Sequence, residues 1–316
     1  MSGITFVREE SLTSFTPNEM YAMCPSLGNP SRDYHLVVAA FGEEYHIVRQ
    51  AVSLKNWPEY FKRYDGQVGA FGGGGCDLGV RTGPEEKLLH FHSIVRACAN
   101  IAKTPFDDGH KLKRIIEPWA INEAIKLLED HQRNCLIPVG SERWHLVLAA
   151  QKADFNVLLG DLPFSLGIGG LVPPFVIEKL VPVMMPIVGR LPFHWLYPTG
   201  KKQLVHNPTK FKNHFDWADL IAGDYLYIDR YMPSCLEDKV IVTNTTTIEN
   251  RERMFRAGLK AVITTTPTIN GRSPGTNAYE ALLATILRRN NRPISDKSLR
   301  GIIRQLEIGP VVHLNT

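Results

Sequence analysis

The 316-residue sequence is short of several features that would assign a chain to a class at once. Its five cysteines, Cys24, Cys76, Cys98, Cys135 and Cys235, are odd in number and widely spread, with no CxxC pair and no His/Cys ligand spacing. That argues against a structural zinc and fits free thiols in a reducing compartment. No long apolar run is free of interruption. The most apolar stretch, Gly167 to Leu191, carries Glu178, Lys179, Arg190 and four prolines, so it reads as a buried or groove-lining helix rather than a membrane span. The first residues include Glu9 and Glu10 and show no apolar signal core, which leads to the expectation of a cytoplasmic protein. Basic residues do not run together. The net charge is only +4, and the short clusters Lys111, Lys113, Arg114 and Arg288, Arg289, Arg292 lack interleaved aromatics, so they read as solvated helix faces and no nucleic-acid partner is expected. Internal repeats and low-complexity segments are also missing.

What the chain does have is alternation. KVIVTNTTT (Lys239 to Thr247) is a β-branched run that stops at a polar cluster. A helical segment ended by Gly258 follows, and KAVITTTP (Lys260 to Pro267) repeats the first pattern. Earlier, CLIPVG, SERWHLVLAAQKA and FNVLLGDL give the same strand–helix–strand order from Asn134 to Leu162. Two such units predict an α/β fold with a Rossmann-like, doubly wound parallel sheet over residues 133–316. A smaller N-terminal α+β domain is expected over 33–132, with a hairpin from Tyr34 to Val52, Ser93 as a helix N-cap and a helix from Pro118 to His131. Residues 1–32, polar and holding Pro17, Pro25 and Pro30, read as an extended arm or cap. At 316 residues, both domains are of ordinary size.

In open parallel sheets, ligands bind at the carboxyl ends of the strands. Those ends carry Asp224, Tyr225, Asn244, Thr245 and Thr265, which become candidates for a small-molecule site. The turn after CLIPVG offers Gly140 and Ser141 to a phosphate at a helix start, and Asp161 lies about 20 residues on, where an acidic group would hold a ribose hydroxyl. The run Gly72 to Gly75 has neither the dinucleotide nor the P-loop spacing. Its amides, at Gly73 and Gly74, form either an anion nest or a close-packed loop, and Asp77 beside it either bonds a hydroxyl or caps a turn. GRSPGTN brings Arg272, Ser273, Thr276 and Asn277 to a helix start, an anion seat. Lys201 and Lys202 follow an aromatic turn. Lys202 paired with Asp224 would supply proton transfer, unless both lysines are simply solvated. The turn Phe193 to Tyr197 is either a homo-oligomer surface or a pocket wall. Asp107, Asp108 and His110 either bind a cation or form a solvated loop, and the loop is the reading preferred.

Six segments, GAFGGGGCDLGV, LLGDLPFSLG, RLPFHWLYPTGKKQ, DLIAGDYLYIDRYMP, KVIVTNTTT and TTTPTINGRSPGTNAYEALL, resemble a short, atypical Rossmann-like bacterial family named for quinate/shikimate 5-dehydrogenase activity. The resemblance spans roughly residues 66 to 285. It implies an NAD- or NADP-dependent oxidoreductase acting on a small hydroxylated or oxo carboxylic acid, with Lys202 and Asp224 as the best carry-over for a proton relay. A non-redox lyase, isomerase or transferase using the same cleft, or a cofactor-free small-molecule-binding protein, is the alternative. A fainter likeness to acyl-carrier-protein reductases would make Cys235 a nucleophile.

Overall fold

Short β-branched runs buried on both faces, each followed by a helix, lie side by side as parallel strands because the helices cover both faces of the sheet. In the computed structural model, which describes residues 3–13, 15–196 and 205–315, two six-stranded sheets are built around such runs. The first takes β1 (Thr5–Glu9), β2 (Tyr21–Ser26), β3 (Tyr34–Ala40) and β4 (Glu43–Ala51). Helix α1 (Trp57–Tyr64) then leads to β5 (Ala70–Gly72), and a small hairpin, β6 (Gly79–Thr82) and β7 (Lys87–His90), leads to α2 (His92–Cys98) and β8 (Phe106–Asp107). The strand order is β1-β3-β4-β2-β5-β8, antiparallel through β1, β3 and β4, and parallel from β4 through β2 and β5 to β8.

Helix α3 (His110–Ile125) crosses to the second sheet. There β9 (Asn134–Ile137), α4 (Trp144–Lys152) and β10 (Asn156–Leu159) form the first unit, followed by α5 (Pro174–Val188) and α6 (Phe193–Leu196). The chain continues through α7 (Lys212–Trp217), β11 (Leu220–Ala222), α8 (Tyr225–Tyr231), β12 (Val240–Thr243), α9 (Ile248–Arg256) and β13 (Ala261–Thr264). Last come α10 (Thr276–Arg289), α11 (Asp296–Gln305) and β14 (Val311–Leu314). The order β10-β9-β11-β12-β13-β14 is parallel except for the edge strand β14. The protein is thus an α/β fold with a Rossmann-like parallel sheet and a smaller N-terminal part. Among the described residues, no helix is long and apolar enough to cross a membrane.

Four local expectations change. Residues 21–26 are no arm: β2 is fully buried and lies between β4 and β5, because its apolar side chains find partners on both faces of the first sheet. Ser93 does not cap α2; Phe91 holds that position, and the Ser93 hydroxyl is buried without a partner. Helix α3 starts at His110, eight residues before Pro118. Gly109, at φ 89°, turns the chain, and Asp108 Oδ1 accepts from the His110 amide at 3.2 Å. A proline inside a helix costs about 3 kcal/mol, and burial of Leu112, Ile115 and Ile116 in one core and of Ile121 in the core of the second sheet offsets it. Finally, α10 and α11 leave the second half of the chain and pack on the first sheet. One core joins Leu36 and Ile47 with Leu112, Leu282, Ile286 and Ile302.

Candidate active site in the cleft between the sheets

The carboxyl ends of β2 and β5 in the first sheet, and of β9 to β12 in the second, face one another across a cleft whose cavity measures about 220 Å³. One wall is apolar, from Ile177, Leu180, Val181, Met184 and Met185 of α5, with Phe193 beside it. The aromatic turn therefore contributes a pocket wall through Phe193, while Trp195 is exposed. The opposite wall is charged.

At its centre stands Lys113, only 3% exposed, with Nζ 2.6 Å from Asp77 Oδ2. The early start of α3 puts this lysine one turn into a helix and aims it at the glycine loop. It is not on a solvated face. Burial pushes Asp77 above the ordinary aspartate range; Lys113 pulls the other way, and Asp108 adds to the rise. Asp107 and Asp108 are buried as well. Asp108 lies 3.5 Å from Arg81 and accepts from the Leu78 amide at 3.3 Å, while Asp107 pairs with Lys111.

Beside this pair lies a second buried charge group. Arg143, 4% exposed, donates to Glu117 at 2.9 Å and to Asp224 at 3.1 Å, and its Nε is 3.6 Å from Glu142. Burial works against its charge, but Glu142, Glu117 and Asp224 outweigh that and hold it above the ordinary arginine value. Asn244 joins the group, its amide turned to accept from Arg143 at 2.6 Å and donate to Asp224 at 3.3 Å. Asp224 also caps α8 through the Leu226 amide at 2.9 Å. Lys202, its expected partner, lies outside the described residues.

Glu142 is pushed up to about 8, by burial first and by Asp224 second, with Arg143 opposing. A carboxyl raised in the fold contributes stability that is complete below its ordinary value of 4.5 and is lost as pH rises to about 8. Glutamine mimics the protonated form. The melting temperature of Glu142→Gln should therefore gain on the parent steadily between pH 5 and pH 9. A difference that does not change with pH would contradict the assignment.

The expected phosphate turn is already filled. Gly140 and Ser141 donate their amides to the two oxygens of Asp161, at 2.8 and 2.9 Å, so this carboxylate sits where an anion would and is not free to meet a ribose. The glycine nest is likewise not free: Gly73 N bonds Asp107 O at 3.0 Å and Gly74 N bonds Pro25 O at 2.8 Å. The glycines are there for close approach. A Cβ on Gly72 would stand 2.7 Å from Asn277 O, and one on Gly74 would stand 2.6 Å from Ser26 Cβ. Thr265 does not line the cleft, and Tyr225 is fully buried, its hydroxyl donating to Asp229 at 2.7 Å and accepting from Arg253 at 3.1 Å. Both residues drop out as direct ligands for the same reason: their polar atoms face the interior.

Arg272, Ser273, Thr276 and Asn277 do come together at the cleft. The loop before α10 is pinned by Ser273 N to Thr246 O at 2.8 Å and by Arg251 to Gly271 O at 3.1 Å. Helix α10 begins there with Gly275 as cap and no side-chain cap bond, and Gly275, Thr276 and Asn277 line the cleft. The Ser273 hydroxyl is fully buried without a partner. Arg272 stacks on Tyr34 at 5.3 Å and Arg32 on Tyr225 at 5.7 Å, and neither forms an ion pair among the described residues. Two guanidinium groups beside a helix N-terminus favour a carboxylate. Thr245 lines the same rim with φ 53°, a strained value for a β-branched residue. Cys235 is exposed and does not line the cleft.

The architecture and site together define a Rossmann-like α/β protein with a cleft between its sheets, apolar on one wall and charged on the other. The chain belongs to the family described as Domain of unknown function (DUF8754), which matches residues 111–314. Among solved structures it is similar to a crystal structure from Mycobacterium smegmatis at 10% identity, covering 93% of this chain and 90% of that one, with a TM-score of 0.33. It is also similar to a LacI-family transcriptional regulatory protein from Corynebacterium glutamicum at 12% identity, covering 86% and 90%, with a TM-score of 0.31. Likeness at this level carries no conclusion about the site. No curated protein matches the chain.

Proposed function

We propose that the cleft is the active site of an enzyme that moves a proton at a hydroxyl or carbonyl oxygen of a small hydroxylated or oxo carboxylic acid. The observation that carries this reading is the Lys113–Asp77 pair, buried at 2.6 Å in the wall of the cleft. A lysine fixed by a carboxylate on one side and facing a substrate on the other gives and takes a proton at a defined atom. Arg272 and Arg32, beside the start of α10, hold the substrate carboxylate, and the apolar α5 wall packs on the rest of the substrate. The quinate/shikimate dehydrogenase resemblance supports the same substrate class.

A dinucleotide pyrophosphate needs free amides at the first strand–helix turn. Asp161 holds those of Gly140 and Ser141, so this turn does not fit a nicotinamide cofactor as folded, and no step is derived through one. A second reading, an NAD- or NADP-dependent oxidoreductase, is favoured by a different observation. Parallel strands β9 to β12 end at the cleft, and Asn244 and Thr245 stand at its rim. The test is a melting and fluorescence titration with quinate, shikimate and simple hydroxy and oxo acids, each with and without NADPH or NADH. Acid binding weakened about tenfold or more by Arg272→Gln supports the first reading. Binding of NADPH or NADH in the micromolar range would move the chemistry to hydride transfer. Failure of every acid to bind up to millimolar concentration would sink the proposed substrate class.

A further inference from the structure

Far from the Lys113 wall, on the first sheet, three donor atoms converge on one point. In the β3–β4 register, His35 pairs with Val48 and Val37 with His46, so the two histidines are diagonal neighbours on one face. Glu10, just past β1, is tied to the same place by its amide, which donates to His35 O at 2.9 Å. His35 Nε2 lies 2.9 Å from His46 Nδ1 and 3.7 Å from Glu10 Oε2, and His46 Nδ1 lies 4.0 Å from the same oxygen. Every edge of this triangle is measured between the same three atoms. Ligand bonds of 2.0–2.2 Å at tetrahedral angles put donors about 3.4 Å apart. The observed edges bracket that value.

The surroundings aim these atoms. His35 Nδ1 is 3.3 Å from Ser11 O; a ring proton on Nδ1 bonds that carbonyl and gives Nε2 the lone pair, which meets His46 Nδ1 in a hydrogen bond at 2.9 Å that a bound ion would replace. Arg8 takes the other Glu10 oxygen at 2.8 Å, which turns Oε2 toward the imidazoles. His46 is stacked on Tyr21 with ring centres 4.0 Å apart, and Phe15 meets His35 edge-on at 5.2 Å. His35 is fully buried and Glu10 half-buried, so the point is walled on one side and open to a water on the other. Glu86, His110 and His145 form a second cluster of the same composition, but its close approaches use both nitrogens of each ring and both carboxylate oxygens. One donor atom from each of its residues also comes within 4.8 Å of the others, but these contacts run as a cycle round the three side chains, and the charges of Arg81, Lys113 and Arg114 bear on its histidines.

We propose that Glu10, His35 and His46 form a binding site for a divalent transition metal, of the two-imidazole, one-carboxylate type that suits zinc, and that the ion clips the segment after β1 to the first sheet. Untagged full-length protein is stripped with a chelator and titrated with Zn²⁺ by calorimetry and by melting. One equivalent should bind per chain and raise the melting temperature by several degrees. Glu10→Gln, a change at a half-exposed side chain that leaves the core intact, should weaken affinity about tenfold or more and abolish the melting shift, as should His46→Gln. His145→Gln should change neither. The proposal is overturned if no stoichiometric zinc binds. It is equally overturned if binding survives Glu10→Gln and His46→Gln, or is lost in His145→Gln.

Discussion

Arg143→Met is expected to destabilise the protein by at least about 3–5 kcal/mol, a large part of the 5–15 kcal/mol that holds a typical domain together. The reason is what stays behind. Arg143 is the shared counter-charge of Glu117, Asp224 and Glu142, all within 4 Å of it. Its removal leaves several carboxylates facing one another away from water, and one oxygen of Glu117 has no partner even now. Urea unfolding should show the midpoint fall sharply with little change in slope. Adding Glu117→Gln to Arg143→Met should recover part of the loss, because it removes a like charge that nothing then opposes. A loss below about 1 kcal/mol, or no recovery in the double variant, would mean that the network is open to water and screened.

The second large effect is chemical. Lys113→Met keeps the side-chain length and removes the proton carrier. On the acid that binds best in the titration, turnover should fall about 10²- to 10⁴-fold, with substrate affinity changed far less. Since this variant leaves Asp77 buried without its cation, the cleaner comparison is Lys113→Met with Asp77→Asn, which keeps the site neutral. The double variant should fold and still bind, but not turn over. Activity within tenfold of the parent in a folded double variant would remove Lys113 from the chemistry and return attention to residues beyond those described, Lys202 among them.

Much of the second sheet was legible from composition alone. A β-branched run, a helix and a second β-branched run admit few arrangements, and Gly258 closes α9 at φ 87° as its position suggested. Asp224 and the Arg272–Asn277 loop were legible for the same reason, since they sit at strand ends and a helix start. Lys113 was missed because Pro118 read as a helix start. The i, i+3, i+4 spacing of Leu112, Ile115 and Ile116 was the signal that would have extended the helix back to His110. Arg143 had no such local signal. Its partners lie 26 and 81 residues away and meet only when α3, α4 and α8 are packed. The same holds for β2, which looked like part of an arm because its neighbours in space, β4 and β5, follow it in the chain, and for His35 and His46, whose convergence depends on strand register.

The two long helices that join the sheets also set how the chain can be divided. Helix α3 leaves the first sheet, α10 returns to it, and the two pack together in one core with Leu36 and Ile47. The stretch that the family match covers, 111–314, therefore holds α10 but none of the strands it lies on. Produced alone, that stretch would carry Leu282, Ile286 and Ile302 bare into water, and the first 110 residues would carry an uncovered sheet. Neither piece keeps its core covered by itself: a swap, graft or truncation has to move both ends of the chain together.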